Sequence, residues 1–402
     1  MLNKNTFRSL RHRNFRIYYI GQLVSLNGTW MQATAQSWLI YRLTGSGLML
    51  GLVGSMTLLP NLVFGLYGGW LADRFSRQKM LILIHTLAMA QAAVMGVLTI
   101  GGWIEAWHII LLALTLGLVQ AVETPVRQSF ISQLVARQEL PNAIALSSSL
   151  FHLSRFIGPA LAGVLVVMFG EGPVFIINAV TFIAVLISLF SLKLPAMADR
   201  QGMARGLRSI WSGFHYAREH QLIRSLLALV ATTSLLGGSA MVLLPIFVAE
   251  VYGRGPEGLG IFLGTLGSGS LLAALMLAGR NDYRLLERRV AIAGILVGTC
   301  LLVFSFNQFY LTAFVILFVT GFSSTTVFAS SNALIQLAVP DHLRGRVMAL
   351  FTICLHGMTS LGQLTLGLTA DVIGARLTLG ISAGVLFILA LWLAVVLNRV
   401  EQ

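Results

Sequence analysis

Long apolar runs dominate this chain and restrict it to folds that span a lipid bilayer. Of its 402 residues, 56% are hydrophobic and only 10% are charged, whereas soluble domains carry about 25% charged residues. A bilayer core about 30 Å thick requires roughly 20 apolar residues for each helical span. The composition therefore excludes an ordinary soluble protein.

Hydropathy divides the chain into twelve such runs, which predicts an all-α integral membrane protein with twelve transmembrane helices in two pseudo-symmetric bundles of six. The first six predicted spans are 15–41, 48–72, 80–101, 107–132, 142–169 and 174–194. The second six are 222–248, 259–279, 290–306, 309–338, 347–372 and 377–397.

Most of the positive charge of the chain lies on one side of these spans, and the opposite loops carry little beyond Arg42, Arg254 and Arg376. The net charge is +13, and the basic residues precede the first span, follow the second, eighth and tenth, and surround the middle of the chain. The positive-inside rule then places both termini and the middle loop in the cytoplasm. Membrane topology accounts for the charge, and we predict no nucleic-acid partner.

The two halves of the sequence share a common plan. His152 and Gly158 in the fifth span recur 204 residues later as His356 and Gly362 in the eleventh. Internal repeats of this kind are typical of secondary transporters. We predict an N-terminal bundle over residues 1–194, an amphipathic cytoplasmic linker over 195–221 and a C-terminal bundle over 222–402. A helix that docks a partner is the alternative for the linker.

A short charged joint, GWLADRFSRQK at residues 69–79, separates the second and third spans. With twelve spans, two halves and a cytoplasmic middle loop, the chain resembles the major facilitator superfamily. The signature of that family at this joint is a glycine, an Asp-Arg pair and further basic residues, matched here by Gly69, Asp73, Arg74, Arg77 and Lys79. The resemblance implies a conformational latch that holds the cytoplasmic side closed.

Two further segments resemble one branch of that superfamily. TPVRQSFISQL at residues 124–134 and RFIGPALAG at 155–163 are similar to the enterobactin-exporter and macrolide-efflux branch. The Gly-Pro pair of the fifth span also resembles the antiporter motif of drug exporters. Both resemblances imply outward transport across a bacterial inner membrane, with hinge or packing positions at Gly158, Pro159 and Gly163.

The chain departs from the family pattern at two places. Many proton-coupled drug antiporters carry an arginine in the fourth span, which would lie near Gly117, and this sequence has none there. The second half also lacks a clean copy of the charged joint and keeps only two pairs, Gly279-Arg280 and Arg288-Arg289.

No ATP-binding motif occurs in the sequence, so we expect a gradient to drive transport and predict that the coupled ion is the proton. Ionisable groups inside a membrane are costly and usually functional. The candidates for proton coupling are Glu123, Arg127, His152, Arg155 and His356. A structural role is the alternative for each: a static ion pair for the first two, helix packing for the arginine, and a neutral hydrogen-bonded ring for the histidines.

Polar and aromatic residues concentrate in the first, fourth, seventh and tenth spans, which would line the substrate path if the family architecture holds. Mixed amide, hydroxyl and indole groups suit a bulky amphipathic solute. A bond to the helix's own backbone is the alternative for each serine or threonine. The candidates for the substrate cavity are Gln32, Gln36, Trp30, Gln120, Thr233, Ser324 and Asn332.

Together these features predict a secondary transporter that exports drug-like or siderophore-like small molecules by proton antiport with alternating access. The expected partners are the solute, protons and the lipid bilayer, and we expect a monomer with no cofactor and no metal. A metabolite importer or a lipid transporter of the same fold is the alternative within transport. A membrane enzyme or a receptor without transport activity is the alternative outside it.

Overall fold

The computed structural model of the protein describes residues 7–192, 208–278 and 286–398, and every regular element in these ranges is a helix. Side chains are described throughout except at 63, 65–73, 208–212, 278, 397 and 398. The first seven helices are α1 (Arg13–Thr44), α2 (Gly47–Arg74), α3 (Arg77–Ile100), α4 (Ala106–Leu134), α5 (Leu140–Phe169), α6 (Glu171–Phe190) and the short α7 (Arg208–Glu219). The remaining six are α8 (Gln221–Val251), α9 (Pro256–Ala278), α10 (Leu286–Phe306), α11 (Tyr310–Ala338), α12 (Asp341–Ile373) and α13 (Ala375–Asn398).

Each of the twelve predicted spans corresponds to one long helix, so the all-α prediction is confirmed. Within the described residues, ten helices are long and apolar enough to cross a membrane, and α2 adds a shorter apolar segment, Gly47–Leu62. The helix α1 has 32 residues and is more polar, because it carries two asparagines and three glutamines. A polar helix of this length is tolerated in a bundle when its polar face is turned away from lipid.

The chain divides into two compact units that are not contiguous in sequence. Unit 1 comprises Met1–Leu43, Pro60–Ala204 and Pro256–Gly264, and unit 2 comprises Thr44–Leu59, Arg205–Gly255 and Thr265–Gln402. The start of α2 is therefore grouped with unit 2 and the start of α9 with unit 1. The predicted division of the sequence at 194 and 222 stays a prediction. Of the predicted linker, residues 195–207 lie outside the described residues, and α7 forms most of the remainder.

Unit 1 is held together by close helix contacts and a shared apolar core. Gly21 and Gly28 of α1 lie against α6, where an added Cβ at Gly21 would come within 2.6 Å of the Ser188 hydroxyl. Small residues permit such close approach of membrane helices. The buried aromatic side chains of this core include Phe15 and Phe130.

Unit 2 contains helices with irregular turns. The helix α8 has two π-helical segments, at Thr233–Gly238 and Phe247–Val251, and α12 has one at Ile353–Gly357. Turns of this type widen a helix locally and often occur at functional sites. The predicted residues Thr233 and His356 both lie in such segments.

Two glycines repeat the pattern found in the sequence. Gly170 follows α5 with a φ of 81°, and Gly374 follows α12 with a φ of 85°. A positive φ favours glycine because it has no Cβ, and glycine at this position is a common way to end a helix. The two residues are 204 positions apart, which is the spacing of the histidine pair.

Candidate functional site

The structure brings Glu123 and Arg127 together on α4. The two residues are one helical turn apart, and Arg127 Nε lies 3.5 Å from Glu123 Oε1. Both side chains are about four-fifths buried, with exposed fractions of 20% and 22%. Arg127 Nε is itself buried and has no hydrogen-bond partner among the described residues. The pair is thus a partly shielded charge pair with unused hydrogen-bonding capacity.

A small cavity lies beside Arg127. The space available to the centre of a water-sized sphere is about 10 Å³, which approaches the roughly 10–15 Å³ that one water requires. The lining residues are Phe15, Tyr18, Tyr19, Gln22, Leu26, Arg127, Ile131, Ser147 and Leu150. This cavity surrounds the arginine with mostly apolar side chains of helices α1, α4 and α5, among which Tyr18, Gln22 and Ser147 are polar.

Arg155, another predicted proton-coupling residue, contacts an aromatic ring of α1. Its guanidinium carbon lies 5.6 Å from the centre of the Trp30 ring, a distance at which cation and ring attract each other. His152, one turn earlier, is partly buried, and its Nδ1 has no hydrogen-bond partner among the described residues. His356 is partly buried in the π-helical turn of α12.

Two of the predicted cavity residues, Gln32 and Gln36, are buried inside unit 1. Gln32 is 1% exposed and Gln36 is 5% exposed. Gln32 donates from Nε2 to Gln91 Oε1 at 3.0 Å and accepts at Oε1 from Asn178 Nδ2 at 2.6 Å. The result is a chain of three amides that connects α1, α3 and α6. A role of Gln32 in contacting solute stays a prediction.

The other predicted cavity residues occupy more varied surroundings. Trp30 and Gln120 are partly buried, as is Ser324. Asn332 accepts a hydrogen bond from Gln336 at 2.5 Å. Thr233 is fully buried, and its hydroxyl has no hydrogen-bond partner among the described residues.

Further buried hydroxyls lie on α11 beside the predicted positions. Ser323, Ser330 and Ser331 are each at most 1% exposed, and none of their hydroxyls has a hydrogen-bond partner among the described residues. A buried polar group without a partner costs about 1–3 kcal/mol. Their placement on this one helix agrees with the concentration of polar residues that the sequence shows in the tenth span.

The predicted latch is only partly visible. Gly69 and Asp73 belong to the described backbone of α2, but the side chain of Asp73 lies outside the described residues. Arg74 and Lys79 are exposed, and Arg77 donates a hydrogen bond to the Ser129 carbonyl of α4 at 3.2 Å. A latch function stays a prediction.

The predicted packing positions of α5 lie at close helix contacts. A Cβ at Gly158 would meet the Asn27 carbonyl at 3.0 Å, and one at Gly163 would meet the Pro256 carbonyl at 2.9 Å. Pro159 lies within α5 between them. Both glycines thus allow backbones of neighbouring helices to approach.

Sequence reasoning missed two charged contacts at helix ends. Arg42 at the end of α1 binds Glu171 at the start of α6 with two hydrogen bonds of 2.7 and 3.2 Å. Asp371 near the end of α12 binds the first turn of α2. The available sequence signal was a single acidic residue next to a span boundary in each case. Its partner could not be predicted, because the two residues are more than 100 positions apart in both cases.

A polar group inside unit 1 was also missed. His85 of α3 and Gln22 of α1 are 2% and 4% exposed, and Tyr18 is 3% exposed. A single histidine within the third apolar run was the available signal. The described residues contain no group of histidine, cysteine and acidic side chains that could hold a metal ion.

The sequence of this chain is similar to those of several known membrane proteins. The sequence profile of a family described as "Transmembrane secretion effector" matches residues 4–402. The Staphyloferrin A transporter of Staphylococcus aureus is 26% identical over 91% of this chain and 92% of its own length. The multidrug efflux pump Tap of Mycolicibacterium fortuitum is 24% identical over 87% and 88%. The macrolide efflux protein A of Streptococcus pyogenes is 22% identical over 90% of both chains.

Solved structures agree in fold. The crystal structure of a bacterial homologue of the human lysosomal transporter Spinster has a TM-score of 0.73 at 14% identity, over 99% of this chain and 98% of that one. A POT family transporter has a TM-score of 0.76 at 11% identity, over 97% of both chains. At such low identity the similarity concerns the fold alone.

Proposed function

Because the chain belongs to the transmembrane secretion effector family of major facilitator superfamily transporters, we propose that it exports amphipathic small organic molecules by proton antiport. Membership makes it a multi-pass membrane transporter of the major facilitator fold rather than an enzyme, as the sequence predicted. The observation that carries the export proposal is the full-length similarity to named multidrug and macrolide efflux proteins.

The proposed solute is bulky and partly polar, such as a drug or a siderophore-like compound. Trp30 offers an aromatic surface that is partly buried. Within unit 2, Thr233 and the serines of α11 carry buried hydroxyls whose hydrogen bonds are unused among the described residues. Aromatic and hydroxyl groups are each typical of sites for such ligands.

The proposed proton pathway uses the ionisable groups inside the bundle. Glu123 carries a proton next to Arg127, and His152, Arg155 and His356 are the further candidates for binding the coupled proton. Coupling then proceeds by alternating access, with the charged joint at residues 69–79 as the latch. In this proposal a monomer works in the bacterial inner membrane with both termini in the cytoplasm.

The test uses purified full-length protein in liposomes that contain no other protein. Radiolabelled erythromycin and ethidium serve as probes, and a pH gradient of either sign is imposed across the membrane. Antiport predicts that solute moves against the direction of the proton gradient and that collapsing the gradient abolishes accumulation. Movement of solute with the protons, or no response to either gradient, would refute the proposal. Accumulation of metabolites or lipids instead of both probes would favour the alternative substrates.

A further inference from the structure

His85 is a titratable side chain in the interior of unit 1 to which the sequence pattern gave no role. It lies on α3 eight residues after Arg77, or about 12 Å along the helix, and it is 2% exposed. Its ring packs against Phe182 of α6, with 5.9 Å between ring centres. Burial of a polar ring of this kind costs free energy unless its nitrogens form hydrogen bonds.

Gln22 of α1 is the hydrogen-bonding neighbour of this ring. The Gln22 Nε2 atom donates to the Tyr18 hydroxyl at 2.9 Å and lies 3.5 Å from His85 Nε2. In this orientation of the amide its nitrogen only donates, so the facing ring nitrogen is the acceptor. The proton of the neutral ring is then on Nδ1, which is buried and has no partner among the described residues.

This amide orientation suits only the neutral ring whose proton is on Nδ1. An imidazolium carries an N–H on both nitrogens, so its Nε2–H would point at the donor group of Gln22. Rotation of the amide by half a turn removes the conflict because it presents Oε1 to the ring. The NH₂ group then no longer donates to the Tyr18 hydroxyl, and the O–H bond of Tyr18 can rotate. Gln22 thus connects the presence of a proton on His85 Nε2 to the orientation of Tyr18.

The Tyr18 hydroxyl connects this group to the charge pair of α4. Tyr18, Gln22 and Arg127 line the same cavity, which has room for about one water. Glu123 and Arg127 act electrostatically on both Tyr18 and His85. These residues lie at similar depths: measured along the helix from the start of α1, the start of α3 or the end of α4, each is about 8–16 Å from the helix end.

We propose that His85 binds a coupling proton and that Gln22 and Tyr18 relay its protonation to the Glu123–Arg127 pair. This inference rests on the proposed proton antiport and adds residues to it. When a proton binds, an N–H bond forms at His85 Nε2 and the ring becomes an imidazolium. The same bond breaks when the proton leaves to the opposite aqueous side, so no other reactant is required.

The charges that face His85 act in opposite directions. Glu123 and Arg127, both on α4, are the two charged groups that act on it, and their charges are opposite. On α1 the facing titratable group is Tyr18, and on α6 the packed side chain is the apolar Phe182.

The first experiment measures proton release by the purified protein. Erythromycin is added to His85→Gln and to the wild type in weakly buffered detergent solution with a pH-sensitive dye. The wild type is expected to release protons, and His85→Gln is expected to release at most half as many. His215→Gln, at an exposed histidine of α7 paired with Glu219, is the matched control and should behave as the wild type. Equal release from His85→Gln and the wild type would overturn the proposal.

The second experiment shifts the pH profile in two directions. Gln22→Glu places a carboxylate against the ring and should move the midpoint of probe transport up by about one pH unit or more. Gln22→Met removes the amide oxygen that would accept from the imidazolium and should move it down. A purely structural role would lower transport in both variants without opposite shifts, and that result would refute the proposal.

The outcomes separate the two proposals. Absence of any pH effect in the wild type would refute proton antiport itself. A pH-dependent wild type with unshifted midpoints in both Gln22 variants would refute only the role of His85. Folding of each variant is checked by gel filtration, and Thr86→Val, at an exposed neighbour of His85 on α3, controls for changes to that helix.

Discussion

The carboxylate of Asp371 accepts a hydrogen bond from the backbone N–H of Gly47, and it thereby joins the end of α12 to the start of α2. The same carboxylate accepts from Leu48 N at 3.1 Å and from the Ser46 hydroxyl at 2.6 Å. The first N–H groups of a helix have no partner within that helix, and the helix dipole favours a negative charge there. Asp371 thus caps the first turn of α2 from another helix, as an N-cap residue would from the same segment.

We expect Asp371→Ala to loosen the first turn of α2. Removal of a helix cap lowers the free energy of unfolding by about 1 kcal/mol, and the amides of residues 47 and 48 should exchange hydrogen faster. Asp371→Asn keeps an acceptor without the charge and should give an intermediate result. Thermal unfolding and hydrogen exchange measure both effects. Unchanged exchange at these amides in Asp371→Ala would contradict the capping role.

We expect Gly163→Ala to destabilise unit 1. The added Cβ would lie 2.9 Å from the Pro256 carbonyl oxygen and 3.0 Å from Glu257 Cα, and backbone atoms cannot move aside as a side chain can. Overpacking of this kind typically costs about 1–3 kcal/mol. Gly384→Ala is the matched control, because no atom lies within 4 Å of its added Cβ. Equal thermal stability of the two variants would show that α5 and α9 are not in tight contact.

Asn178→Leu should destabilise the protein through the amide chain. The substitution leaves the buried Gln32 Oε1 without its donor, and an orphaned buried acceptor costs about 1–3 kcal/mol. Thr115→Val, at an exposed hydroxyl that bonds only its own helix, should change stability little. Thermal unfolding in detergent compares them. A loss no larger than that of the control would mean that the amide chain does not stabilise the fold.

Glu123→Gln should make transport less dependent on pH. The amide cannot bind and release a proton, so if Glu123 carries the coupling proton, solute flux should no longer follow an imposed pH gradient. Facilitated flux down a solute gradient should persist. Erythromycin transport in liposomes, with and without the gradient, measures the difference. An unchanged pH profile would assign Glu123 to a static ion pair with Arg127.

The helices of this protein could be predicted because each depends on local sequence. The run predicted at 142–169 corresponds to α5, Leu140–Phe169, and the run at 309–338 corresponds to α11, Tyr310–Ala338. In lipid the backbone must satisfy its hydrogen bonds within the segment, so the length of an apolar run determines the length of its helix. The irregular turns of α8 and α12 were not predicted, because their apolar sequences continue through them.

The candidate site could be predicted only in part. The Glu123–Arg127 contact follows from a spacing of four residues on one helix. The neighbours His85 and Gln22 are 63 residues apart, and no pattern in either helix selects the other. The same holds for Asp371 and Gly47, which are 324 residues apart.

The sequence by itself determined that this chain forms a bundle of membrane helices, approximately where each span lies along the chain, and which charges occur inside the spans. The tertiary structure alone decided which buried groups meet. The reason is physical: the hydrogen bonds of a helix join residues four apart. The partner of a buried side chain depends instead on how helices from distant parts of the chain pack.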